Sequence, residues 1–538
     1  MGRVVSTGRS RYAISTAPQV HERWHLQALT PASRLFGANG ICTGPDGRIY
    51  VAQVSGSQIS AVDIDTGGIE TISPKGGDIV APDDLVFDPE GNLYVTEITE
   101  GRVSVRKPNG QTRLVQGEMP CANPIAIHQG RLFAGECRVG GRIVELDLNG
   151  GAPRILVENA PMPNAMEVGP DGMLYFPVMG TNEIWRVGLD GGEPEVVASD
   201  LGVPDAVKFD AKGNIVSTQV ASGQVLQIDP RTGQRTVLAD IAPGLDNLTF
   251  VGDRLFVSSI SGQINEILGP GSIRSLVPDG FNWPLGLAMG EDGALFVADG
   301  GFTYSLYPGG EPQVIGMLFS PEFPGYVRGV VAAGPGEFVV TTANGNVARW
   351  WPARYESECL ADGFDQLYGV AITEKGSVVF AEQGKGRVYA IESGSVRELA
   401  GGLNRPSGVA AYGDICLVAE EGAGRVVSVS GNGSKTVLDG LQAPQGIVVQ
   451  GDLLYVVDVG AGELVEYNLK NRSRITVASH LPLGAPPGVI PKFIGAIGNM
   501  SGPMGPFAGI AAGADGTFYV SADAEGSVLA LSPSKNSI

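Results

Sequence analysis

Residues 39–53 read NGICTGPDGRIYVAQ, residues 83–97 read DDLVFDPEGNLYVTE, and residues 164–178 read NAMEVGPDGMLYFPV. Each stretch sets a polar residue before a short apolar run, then a Pro-Asp-Gly or Pro-Glu-Gly turn, then alternating β-branched and aromatic residues. Proline presets one turn dihedral and glycine supplies the positive φ that a tight reversal needs, so the pattern predicts a β-hairpin. The position that opens the pattern recurs at 39, 83, 123, 164, 205, 246, 285, 328, 368, 407, 445 and 508, mostly about 40 residues apart. Two further short strands follow each hairpin, such as 58–64 and 68–73 in the first unit. Four strands at this period describe one propeller blade. Twelve blades predict an all-β chain of two consecutive six-bladed propellers, with seven plus five as the alternative partition.

Composition agrees. With 79 Gly and 36 Pro among 538 residues, a long helical bundle is excluded, while 43% hydrophobic residues suffice for ordinary cores. The expected organisation is a tail and closing strand over 1–34, a first propeller over 35–280, and a second over 281–538 with an apolar Gly/Pro loop at 481–506. The last unit is short of an outer strand, because only PSKNSI follows residue 532, whereas WHLQALT at 24–30 has no unit of its own. A propeller must join its ends or leave an open sheet edge, so the N-terminal segment is expected to supply a closing strand.

The chain carries 37 basic and 57 acidic residues, a formal charge of −20, which disfavours nucleic acid and anionic membrane as partners. The five cysteines, at 42, 121, 137, 359 and 416, are odd in number and none has CxxC spacing, which points away from a disulfide framework or structural zinc. No apolar run of transmembrane or signal-core length is present, and a cytoplasmic location with a small-molecule substrate is expected. HERWH at 21–25 spells the zinc-protease pattern, but it lies between Pro18 and Pro31 in a segment read as strand, where the two histidines would not share a helix face. His128 and His480 do not cluster with them.

The opening residue of each unit starts an innermost strand and so lines one end of a propeller channel. In the first six units it is Asn39, Asp83, Asn123, Asn164, Asp205 and Asp246; in the second six it is Leu285, Arg328, Tyr368, Ser407, Gln445 and Ala508. If turn preference alone gave Asn or Asp about one chance in three per position, six in six would arise on the order of once in a thousand. Six hard-oxygen side chains around one axis suit Ca²⁺, with Mg²⁺ or Mn²⁺ as substitutes. The second strands end near the same opening at Gln53, Glu97, Glu136, Gln219 and Ser259, of which Glu97 and Glu136 are candidate bases or extra ligands. Asp299, Glu382, Glu420 and Asp458 stand at the corresponding places in the second six units and read as residues that fix loops.

The stretches NPIAIHQGRLFAGE (123–136), PNAMEVGPDGMLYF (163–176) and PDAVKFDAKGNIV (204–216) resemble successive blades of the gluconolactonase and regucalcin (senescence marker protein) family, over roughly residues 35–277. The second half resembles generic NHL-type repeats. The family resemblance implies one calcium in the channel, held by a Glu, two Asn and an Asp, and hydrolysis of lactones or phosphoesters. Carried over, the two Asn are Asn123 and Asn164 and the Asp is Asp205, which is also the implied base. The Glu position falls on Asn39, a departure that removes one negative charge unless Asp83, Asp246, Glu97 or Glu136 restores it. The expected function is calcium-dependent hydrolysis of a small lactone or ester, with a non-catalytic scaffold holding a structural calcium, or a metal-dependent lyase such as virginiamycin B lyase, as the alternatives.

Overall fold

A computed structural model describes Arg11 and residues 16–430, 433–484 and 507–534. Residues 485–506 of the expected Gly/Pro loop lie outside the described residues. The chain forms twelve antiparallel sheets and, among the described residues, no α-helix. Blade one shows the plan: Ile41–Thr43, Ile49–Gln53, Gln58–Val62 and Ile69–Ser73 pair in sequence order from the axis outward. Its first reversal is the predicted turn, with Gly47 at φ 78° and its N–H donating to the Gly44 carbonyl at 3.0 Å.

The inner strands of blades one to six contact one another in order and the sixth returns to the first; blades seven to twelve do the same. The partition is six plus six. The chain divides into two compact units, Arg34–Asp279 and a second that joins the described residues through Ser33 to those from Gly280 onward. Each unit holds one ring. Apolar side chains pack between neighbouring blades, as where Ile49 and Val51 of blade one meet Phe256 and Ile264 of blade six, all buried. Tyr50 meets Phe87 edge to face at 4.8 Å between blades one and two.

Closure of the second ring uses the N-terminal segment. Trp24–Ala28 pairs antiparallel with Ser527–Pro533, Trp24 opposite Pro533, and becomes the missing outer strand of blade twelve. Gln19–Val20 adds a fifth strand to blade eleven. HERWH is therefore turn and strand, as the sequence predicts, and it forms no zinc-binding helix.

The inner strands carry a local irregularity that matters for the channel. In blade two the register skips between Pro82 and Leu85, in blade three between Ala122 and Ile125, in blade five between Pro204 and Val207, and in blade six between Leu245 and Leu248. The opening residue of the repeat and its successor sit inside this bulge. Bulges re-aim side chains, and here they turn two consecutive residues of these four blades out of the ladder.

Candidate metal centre

The first ring brings its six opening residues together. Asn123 Nδ2 donates to Asn164 Oδ1 at 2.8 Å, and Asn164 Nδ2 donates to Asp205 Oδ2 at 2.9 Å, so blades three, four and five are linked side chain to side chain. Asn39 Nδ2 donates to Asp246 Oδ2 at 3.2 Å across the junction of blades one and six. All but Asn39 are buried, at 4% to 8% exposure, which leaves these polar groups a narrow opening rather than a solvated surface. Asn123 Oδ1 is buried and meets no hydrogen-bond partner.

Burial and mutual repulsion act together on the carboxyls. Asp83 is pushed up to about 7, first by burial and then by Asp84. Asp205 lies well above the ordinary range through burial, Asp83 and Asp84, and Asp246 likewise through burial, Asp205 and Asp83. The Cys137 thiol is raised by burial and by the same three aspartates. Several buried carboxylates without a counter-charge are costly, and a divalent cation removes that cost. Among the described residues no three His, Cys, Asp or Glu side chains converge closely enough to hold a metal by themselves, so amide oxygens have to complete the shell. The ring supplies them, and the mixed amide and carboxylate donor set fits a hard, oxygen-seeking ion. Asn39 stands hydrogen-bonded to the carboxylate of Asp246.

Sequence reasoning missed the layer beneath. Asp84, second residue of its bulge, accepts from the Ile125 N–H at 3.1 Å, the Leu85 N–H at 2.9 Å and Asn247 Nδ2 at 3.2 Å. Lys208 and Glu167, each three residues past an opening residue, form an ion pair at 3.3 Å. Burial works against the Lys208 ammonium, but Glu167 and Asp84 outweigh it and hold its pKa above the ordinary lysine value. The available signal was a charged residue on an inner strand, but it appears in too few blades to stand out as a period.

Glu97 and Glu136 are not brought to this cluster. Glu97 is fully buried, bonded to Arg102 Nη2 and the Val80 N–H, both at 2.7 Å, and to Ser104 Oγ at 2.5 Å. Glu136 is held by Arg138 and Arg142; burial alone would raise its pKa, and the two arginines outweigh it. Both side chains are committed to ion pairs. The reason is common to the repeat: Gln53, Gln219, Asp299, Glu382, Glu420 and Asp458 each accept a backbone N–H from the loop entering their own blade. Glu97 performs this same loop-fixing task.

No family model and no curated protein matches the chain. Among solved structures, a streptogramin B lyase is 18% identical, covering 51% of this chain and 94% of its own, with a TM-score of 0.38. Regucalcin from Agrobacterium tumefaciens, described as a calcium-binding protein, is 19% identical over 46% of this chain and 96% of its own, at 0.38. A gluconolactonase from Xanthomonas campestris is 16% identical over 51% and 99%, at 0.39. Each spans about half of this chain, the length of one ring.

None of the five cysteines is in a disulfide, and no helix among the described residues is long and apolar enough to cross a membrane.

Proposed function

We propose that the first ring is a calcium-dependent hydrolase of a lactone or ester of a small organic molecule. The observation that carries this reading is the convergence of Asp83, Asp205 and Asp246 with Asn39, Asn123 and Asn164 in one buried opening. Those six residues would hold the ion, and the sequence resemblance over 123–136, 163–176 and 204–216 supports the same assignment for three of them. When bound, calcium supplies Lewis-acid polarisation of the carbonyl. Asp205 is fixed by the Asn164 amide and serves as a positioned ligand. Asp83 accepts no side-chain hydrogen bond among the described residues, which leaves it able to take a proton from an attacking water. This moves the base from Glu97 and Glu136, both locked in ion pairs, to the ring itself. Asp84 adds to the negative charge beneath the ring, and Lys208 offsets part of it. The free thiols suit a cytoplasmic protein, and the acidic surface suits a small-molecule substrate rather than nucleic acid or membrane.

The test is turnover of a panel of sugar lactones and aryl esters by purified protein with calcium or with chelator, read by product mass. Calcium-dependent gain of one water is expected. Turnover without water gain would make the protein a lyase, and calcium binding with no turnover of any substrate would leave a scaffold.

A further inference from the structure

The first ring carries a second regular layer beside its six opening residues. In blades two to six the residue that follows the second strand donates its N–H to the carbonyl two places before the opening residue: Ile98 to Ala81, Cys137 to Cys121, Met179 to Met162, Val220 to Val203 and Ile260 to Gly244, at 2.8–3.2 Å. In blade one the equivalent residue, Val54, donates to the opening residue itself, at 3.2 Å from Asn39 Oδ1. One backbone bond per blade thus fixes one side chain next to the hub.

The contacts of this layer place it at the hub opening. Met179 Sδ accepts from Asn164 Nδ2 at 3.2 Å. The Cys137 thiol is raised by burial and then by Asp83 and Asp205, with Asp246 adding to them, so it stands among the carboxylates of three other blades. In the second ring the same backbone bond holds Glu421, whose N–H donates to the Arg405 carbonyl at 3.0 Å, and there the opening residue of the following blade, Gln445, reaches the Glu421 carboxylate. The position accepts polar residues in that ring, where Gln383 Nε2 donates to Glu421 Oε2 at 3.1 Å. In the first ring it is Val, Ile, Cys, Met, Val and Ile, so the apolar choice is not imposed by the fold.

Such a wall offers a substrate almost no hydrogen bonds. Beneath it the amides of Asn39, Asn123 and Asn164 are already donated to Asp246, Asn164 and Asp205. A substrate hydroxyl seated there would leave water without gaining a partner, whereas an alkyl chain gains from burial against the same side chains.

We propose that the site in the first ring takes an apolar lactone or ester, one with an alkyl chain and no hydroxyl groups beside the carbonyl, walled by Val54, Ile98, Val220 and Ile260. This rests on the calcium-hydrolase reading and narrows it, with a polyhydroxylated sugar lactone as the poorer substrate.

The test compares δ-nonalactone with glucono-δ-lactone on the full-length protein with calcium, and adds calorimetric binding of a butyl-substituted cyclohexanone, which has no bond to hydrolyse. The alkyl lactone should be favoured by about a hundredfold or more in kcat/KM, and Val54→Thr, which trades a methyl for a hydroxyl, should lower both that preference and ketone affinity by about tenfold. Val220→Thr gives the same reading should the first variant fail to fold. Glucono-δ-lactone turned over as well as the alkyl lactone would overturn the proposal and leave calcium-dependent hydrolysis standing. If neither lactone is turned over, the hydrolase reading falls and the ketone decides: binding weakened in the Thr variants supports the apolar mouth, and absent or unchanged binding overturns it.

Discussion

Asn164 donates its amide to Asp205 at 2.9 Å, and so the side chain that opens blade four holds in place the carboxylate that opens blade five. The pair acts as one unit of the hub.

Replacing Asp205 with Asn should abolish the response to calcium while the fold survives. For the parent, calcium at a hundredfold excess over its Kd should stabilise by about 2.7 kcal/mol, and the variant should show none of this in thermal melts with an unchanged far-UV spectrum. An equal calcium shift in the variant would place the ion elsewhere.

Asn39 tests the charge count. Asn39→Asp should tighten calcium by roughly an order of magnitude, since affinity in oxygen sites follows the number of charged ligands. The same change replaces a hydrogen bond to Asp246 by repulsion, so the calcium-free protein should be less stable. Calorimetry and chelated melts read the two effects, which have opposite signs; weaker binding would exclude Asn39 from the site.

Glu97→Gln should cost about 1–3 kcal/mol of stability, because it breaks a buried acceptor of an arginine, a serine and a backbone N–H. Turnover per folded molecule should stay within a few-fold of the parent. A large loss of kcat at unchanged melting temperature would return Glu97 to the chemistry.

How far the sequence could be read follows the same residues. The turn signals repeat in every blade and the hub position is Asn or Asp in each of the first six units, so both fold and ring were visible as a period. Acids at the ends of second strands are also periodic, and in the second ring they read as loop-fixing residues. In the first ring, proximity to the Asn/Asp series suggested chemistry for Glu97 and Glu136, where the structure shows arginines on both. Their partners lie two to six residues further along the chain, on the next turn and strand, and sequence spacing gives no hint that the carboxylates face them rather than the channel. Asp84 and Lys208 were invisible for the opposite reason, because charge at their positions is confined to one or two blades.

Acid should act on blade three. Glu145 is held down to about 2, against an ordinary 4.5, by hydrogen bonds from Arg131 and then Arg154. Its folded pKa is depressed, so its contribution is present above pH 4.5 and is lost as pH falls towards 2. Glu145→Gln should therefore flatten the stability profile in that window and leave it parallel to the parent above it, as measured by urea midpoints. A parallel curve throughout would mean the cluster is too solvated to contribute.

Gly408→Ala should cost about 1–3 kcal/mol or more, since the new methyl meets the rigid Gln445 carbonyl rather than a side chain that can move aside. Urea unfolding measures it; a neutral result would show that the two inner strands can move apart.

The pairing of Trp24–Ala28 with Ser527–Pro533 has a consequence for biosynthesis. Blades one to six emerge from the ribosome as contiguous chain and can assemble while translation continues. The Trp24–Ala28 strand must then stay unpaired until Ser527–Pro533 has been made, so the second ring can close only at that point, and a chain lacking the later segment would carry one finished wheel followed by an open, adhesive sheet edge.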